Sequence, residues 1–160
     1  MPSITRVFIH GLESSSQGTK GVYFKERYPD MIVEDYPGTF RQRMDKLNTL
    51  LKQRDTVILV GSSYGGLMAA VYACENEEKI KKLILLAPAL NMEEFHSCLK
   101  KTLSLPVIVY HGASDVVVPV PAVKKIAETV FLNVEYHVID DDHSLHGRFE
   151  SLEWDTLLNL

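Results

Sequence analysis

The chain has 160 residues, 46% of them apolar and 24% charged, with a formal net charge of −4, which fits one globular domain with a sizeable core. No basic cluster offers a surface for nucleic acid, and no apolar run approaches the roughly 18 residues that a bilayer span needs. Cys74 and Cys98 make neither a metal-ligand nor a C-x-x-C spacing, and no signal-peptide pattern precedes the first strand, so the expectation is a cytoplasmic protein with reduced thiols.

Thr5 to Ile9 is a continuous, β-branched apolar run, as in parallel strands covered on both faces. A loop of small polar residues, His10 to Ser16, leads to a predicted helix over Thr19 to Tyr28. Pro29-Asp30 ends it, and Met31 to Glu34 is a short second strand. Thr39 is placed to cap a helix whose apolar face carries Phe40, Met44, Leu47, Leu50 and Leu51. The third strand, Thr56 to Val60, runs into Gly61-Ser62-Ser63-Tyr64-Gly65, and Leu67 to Cys74 is apolar nearly all round. That helix should be the most buried one. A fourth strand covers Lys82 to Leu86, a short helix Asn91 to Lys101, and a fifth strand Pro106 to Tyr110. Pro119 and Pro121 open a helix with Val123, Ile126, Ala127 and Val130 on one face. Val134 to Ile139 is the sixth strand, and a last amphipathic helix carries Phe149, Leu152, Trp154, Leu157 and Leu158.

Strands alternate with helices throughout, without repeat or linker. The expected fold is α/β, a three-layer α/β/α sandwich on a mostly parallel six-stranded sheet, forming a single unit over 1–160. The favoured strand order, 2-1-3-4-5-6, puts a topological switch between the first and third strands, where open α/β sheets bind ligands. The loops at His10-Gly11-Leu12 and at Ser63 flank that switch.

Strand, then G-x-S-x-G, then helix is the context of a nucleophile elbow. Gly61 and Gly65 supply the room that a sharp strand-to-helix turn needs, which makes Ser63 the candidate nucleophile; Ser62 has Val60 two residues before it. A serine hydroxyl needs a base, and the base needs a third group to hold it. Asp115 and His143 each lie four residues past the end of a later predicted strand, at the same sheet edge as Ser63 and in the order Ser, Asp, His. His10, His111 and His146 are rival histidines; Asp140, Asp141, Asp142, Glu93 and Glu94 are rival acids. Donors for a developing oxyanion are expected from the backbone N–H groups of Tyr64 and Leu12, with Gly11 permitting close approach.

The stretches Gly61 to Gly66, His10-Gly11-Leu12-Glu13-Ser14-Ser15, His111 to Pro119 and Asp142-His143 resemble the α/β-hydrolase superfamily over nearly the whole chain. Within it the chain is similar to the small YqiA-type serine esterases. The resemblance carries the acid to Asp115 and the histidine to His143, and implies hydrolysis of small-molecule acyl esters without cofactor or metal. The chain is expected to lack the amino-terminal hairpin of larger members, and Pro88 to Leu105 has room for one short helix and no lid, so an open site is expected. A thioesterase, a peptidase or a carbon–carbon bond hydrolase would use the same residues. A binding module on the same fold is the reading from another class.

Overall fold

A computed structural model describes residues 3–160, so the first two positions of the expected unit lie outside it. Six strands form one sheet: β1 (Thr5–Ile9), β2 (Ile32–Val33), β3 (Val57–Ser62), β4 (Ile80–Leu86), β5 (Val107–Gly112) and β6 (Val134–Ile139). Their order is β2-β1-β3-β4-β5-β6, and every neighbouring pair is parallel. The expected order stands, and the sheet is parallel throughout.

Alternation along the strands builds two cores. Val7 and Ile9 of β1, Val57 and Leu59 of β3, and Leu83 and Leu85 of β4 face one side; Phe8, Ile58, Val60, Ile84 and Leu86 face the other. The first side is covered by α2 (Phe40–Leu51), α3 (Tyr64–Glu75) and α4 (Val120–Val130). The second is covered by α1 (Thr19–Arg27) and the carboxyl-terminal segment, through Phe24, Phe149, Trp154 and Leu158. A capping box starts α2: Gln42 N–H donates to Thr39 Oγ1, and Thr39 N–H to Gln42 Oε1. Tyr64 to Cys74 of α3 is buried without interruption, as an all-apolar helix requires.

Two predicted helices take other forms. Between β4 and β5 the chain makes a 3-10 helix over Glu93–Cys98. Met92, Phe95 and Cys98 recur every three residues, and three residues per turn lays them along one line against the core. This segment packs beside α3, and among the described residues no lid stands over the site. The carboxyl-terminal helix is broken into a 3-10 turn, Phe149–Ser151, and a single α-turn, α5 (Trp154–Leu157). In one continuous helix Phe149 and Trp154, five residues apart, would point about 140° away from each other. The break at Leu152 and Glu153 lets both rings bury, with centroids 5.3 Å apart and the Trp154 indole N–H donating to the Phe149 carbonyl at 2.8 Å.

Candidate active site

The strand order puts the loops after β1 and β3 side by side, and those after β5 and β6 along the same sheet edge. Ser63, between β3 and α3, has φ 55° and ψ −113°, a left-handed conformation that costs a non-glycine residue energy and aims its side chain out of the turn. The turn closes because its neighbours lack side chains. A Cβ on Gly61 would meet the Gly65 backbone, and one on Gly65 would meet the carbonyls of Ile9 and His10. Ser63 N–H donates to Leu86 O at 2.9 Å, while its carbonyl accepts from Leu67 N–H and Ala89 N–H. The elbow is therefore pinned to β4 as well as to α3.

Ser63 Oγ lies 3.1 Å from His143 Nε2, and His143 Nδ1 lies 2.6 Å from Asp115 Oδ2. With Asp115 ionised, Nδ1–H donates to it and Nε2 accepts from the serine hydroxyl. The carboxylate is fully buried and the imidazole is about a quarter exposed. Asp115 Oδ1 accepts from the N–H groups of Val117 and Val118, at 2.7 and 2.8 Å. Burial pushes the Asp115 carboxyl up; the hydrogen bonds from His143 and from these N–H groups outweigh it and hold the group below the ordinary carboxylate value.

The rival residues do other work. His10 is buried, donating from Nδ1 to Gly11 O at 2.7 Å and accepting Tyr36 N–H at Nε2 at 2.9 Å. His146 lies in a turn that opens on the same groove, ahead of the last helical segments. Asp141 and Asp142 accept backbone N–H groups of residues 142 and 146–148, so they shape the His143 loop. Glu94 accepts the Tyr64 hydroxyl at 3.2 Å. Among the described residues, no cluster of three His, Cys, Asp or Glu side chains fits a metal ion.

Leu12 and Tyr64 both line the groove beside Ser63, and among the described residues neither backbone N–H donates to another backbone group. Gly11 faces Ser62 and Ser63, but a Cβ there would sit at ordinary contact distances of 3.5 and 3.6 Å. The contact with the elbow would thus also admit a Cβ at this position. The groove holds about 810 Å³ and is lined on its apolar side by Phe8, Met92, Val117, Leu145 and Phe149.

Three neighbours of the site carried no signal in the sequence that assigned them there. Arg43 is buried in α2, donates from Nε to Gly38 O at 3.0 Å and from a terminal nitrogen to Leu12 O at 3.4 Å, and lies 5.3 Å from the Tyr64 ring. Lys20 Nζ donates to Ser144 O at 2.6 Å, against the Phe149 ring; burial lowers its pKa, opposed by Asp142 and Asp141. His111, a rival histidine at the head of the stretch that carries Asp115, had no signal pointing to the carboxylate it touches.

The model of the alpha/beta hydrolase fold family matches residues 11–104. No curated protein matches the sequence. Among solved structures, Est1E from Butyrivibrio proteoclasticus superposes with a TM-score of 0.79 at 18% identity, over 99% of this chain and 87% of that one. A CIB-like hydrolase from Thermoplasma acidophilum gives 0.75 at 18%, over 98% and 86%. The monoacylglycerol lipase of Paleococcus ferrophilus gives 0.71 at 15%, over 96% and 93%. At such identities the likeness is one of fold.

Proposed function

The chain belongs to the alpha/beta hydrolase fold family, and from that premise we propose that it is a serine hydrolase of acyl esters acting through Ser63, His143 and Asp115. The observation that carries the proposal is the unbroken line from Ser63 Oγ to His143 Nε2 and from His143 Nδ1 to buried Asp115, at 3.1 and 2.6 Å. Ser63 Oγ attacks the ester carbonyl while His143 takes its proton. Asp115 holds the imidazole in the tautomer that leaves Nε2 free, and stabilises the cation once it forms. The N–H groups of Leu12 and Tyr64, without backbone acceptors, receive the oxyanion. His143 returns the proton to the leaving alcohol, and water activated by the same imidazole releases the acyl group.

The open groove suits a small-molecule ester. The net charge of −4 disfavours nucleic acid as partner. Among the described residues no helix is long and apolar enough to cross a membrane. We place the protein in the cytoplasm as one unit over 1–160, a reading supported by the free buried thiols Cys74 and Cys98.

A fluorophosphonate probe tests the reading: it should label the wild-type protein at Ser63 and leave Ser63→Ala unlabelled. A folded wild-type sample that stays unlabelled overturns it. A panel of p-nitrophenyl esters, thioesters and anilides of graded acyl length then separates ester from thioester and amide cleavage.

A further inference from the structure

His111, the last residue but one of β5, has no exposed side-chain surface and lies four residues before Asp115. Its Nε2 lies 3.0 Å from Asp115 Oδ2 and 3.2 Å from Val118 O, both acceptors, so Nε2 carries the proton. Its Nδ1 lies 2.6 Å from the Tyr136 hydroxyl. A neutral ring protonated at Nε2 has only a lone pair at Nδ1, so the phenol donates. Tyr136 stands on β6, opposite Val109 in the register and diagonal to His111 on the same face of the sheet. The oxygen that His111 reaches is the one that His143 Nδ1 also uses. Asp115 therefore meets two imidazoles on Oδ2 and two backbone N–H groups on Oδ1.

We propose that His111 is a positioning residue for the reaction: its Nε2–H, fixed in that tautomer by Tyr136, holds the Asp115 carboxylate in register with His143 and withdraws charge from the oxygen that the catalytic imidazole uses. This rests on Ser63, His143 and Asp115 acting as proposed above. A histidine serving only to fill the core would be satisfied by Tyr136 and the Val118 carbonyl. Here its shorter acceptor contact is to the carboxylate, in a fully buried setting where a charge-assisted hydrogen bond is strong.

The charged and titratable groups around this ring are few. Asp115 lies on its own loop, His143 on the loop after β6, and Tyr136 on β6. Behind Tyr136 stand Glu128 and Lys124 of α4, paired with each other at 3.2 Å. Burial holds the His111 ring below its ordinary pKa against the pull of Asp115, so it stays a neutral donor while His143 cycles. Without its N–H, more negative charge rests on Oδ2, which favours the cationic form of the imidazole facing it.

The test pairs His111→Met with His111→Gln, whose side-chain amide keeps an N–H near the position of Nε2. Expected for His111→Met is a kcat about tenfold lower, from loss of one hydrogen bond to a charged group. Its acid limb of kcat/KM should also move to higher pH, while His111→Gln recovers both rate and profile. A folded His111→Met whose rate falls with an unmoved profile, or a His111→Gln no better than His111→Met, reduces His111 to packing and overturns the proposal. Ring 15N spectra of the wild type provide a check that no variant's folding can obscure. They should find His111 protonated at Nε2 and bare at Nδ1 across the acid limb; the opposite tautomer, or a titrating ring, overturns the proposal as well. If wild-type Ser63 also fails to take a fluorophosphonate, the catalytic reading has failed. If Ser63 is labelled and His111→Met behaves as wild type, only the role of His111 has.

Discussion

The elbow that presents Ser63 and the two loops that present Asp115 and His143 meet across 3.1 Å, yet different forces hold them. On the elbow side the agents are steric and backbone. Gly61 and Gly65 let β3, α3 and the end of β1 pass within contact, and the carbonyl and N–H of Ser63 are tied to neighbouring backbone. On the other side a buried carboxylate gathers His143, His111 and two N–H groups, with Tyr136 behind them. The first arrangement has no protons to gain or lose, whereas the second is made of groups that titrate. Substitutions should therefore split into those that break the shape of the site and those that break its protonation.

The largest effect is expected on the titrating side. Asp115→Asn preserves the volume and can still accept N–H groups, but it no longer favours the His143 tautomer that leaves Nε2 free. Turnover should fall by about 10⁴-fold with little loss of structure. Steady-state kinetics on a p-nitrophenyl ester, beside a circular-dichroism melt, checks both halves of that statement. A variant with full turnover would move the acid role to another group.

Next comes the steric side. In Gly65→Ala the added methyl meets the backbone carbonyls of Ile9 and His10, which cannot yield as a side chain would. The cost should reach about 3 kcal/mol, read as a lower urea midpoint. Displacement of Ser63 should cost activity as well. A midpoint matching that of the wild type would mean that the elbow has slack the geometry denies.

These halves also differed in how far the amino-acid sequence disclosed them. The elbow was legible because its constraints are local: a strand, two glycines at fixed spacing and an apolar helix all fall within Val57 to Cys74. Most of the strands followed for a similar reason, since a parallel sheet writes itself as separated buried runs, while their order followed from the right-handed crossover rule. The position of Asp115 and His143 past strand ends brought them to the sheet edge where Ser63 lies. The network around them was not legible. His111 meets a tyrosine 25 residues on, Arg43 a carbonyl 31 residues back and Lys20 a carbonyl 124 residues on. No periodicity encodes such pairs. The misread helices have their own cause: the spacings of three at Met92, Phe95 and Cys98 and at Phe149 and Leu152, and of three and four from Trp154 to Leu157 and Leu158, lie close enough to 3.6 to pass for one helical face.

A smaller effect separates shape from charge within the loop after β1. Arg43 is buried, has no carboxylate partner among the described residues, and leaves one terminal nitrogen without an acceptor. A buried cation held only by carbonyls and an aromatic face contributes little to stability. Its contacts to Gly38 O, Leu12 O and the Tyr64 ring instead steady the segment that carries the Leu12 N–H. Arg43→Met should therefore leave the melting temperature unchanged or raised while lowering kcat about tenfold, the loss of one to two hydrogen bonds from a charged donor. KM for a neutral ester should hardly move. A drop in stability with unchanged kcat would reverse the assignment.

The gentlest way to set the two sides apart is pH. His111 has its pKa lowered chiefly by burial, against the opposing pull of Asp115. As pH falls below about 6.5, the unfolded chain takes up a proton that the native ring resists, so stability declines from that point downward. Asp115 adds a second decline. Its pKa is depressed in the folded state, despite burial, by the hydrogen bonds from His143 and the Val118 and Val117 N–H groups. The stability it contributes is present above the ordinary carboxylate range, about 4, and is lost as pH drops through its folded value. Urea midpoints taken between pH 8 and 3 should thus fall in two stages, and His111→Met should remove the first while keeping the second. Gly65→Ala should shift the whole curve down in parallel, because a methyl against a carbonyl costs the same at every pH. A change of slope in that variant would tie the elbow to the titrating network and remove the division between the two halves.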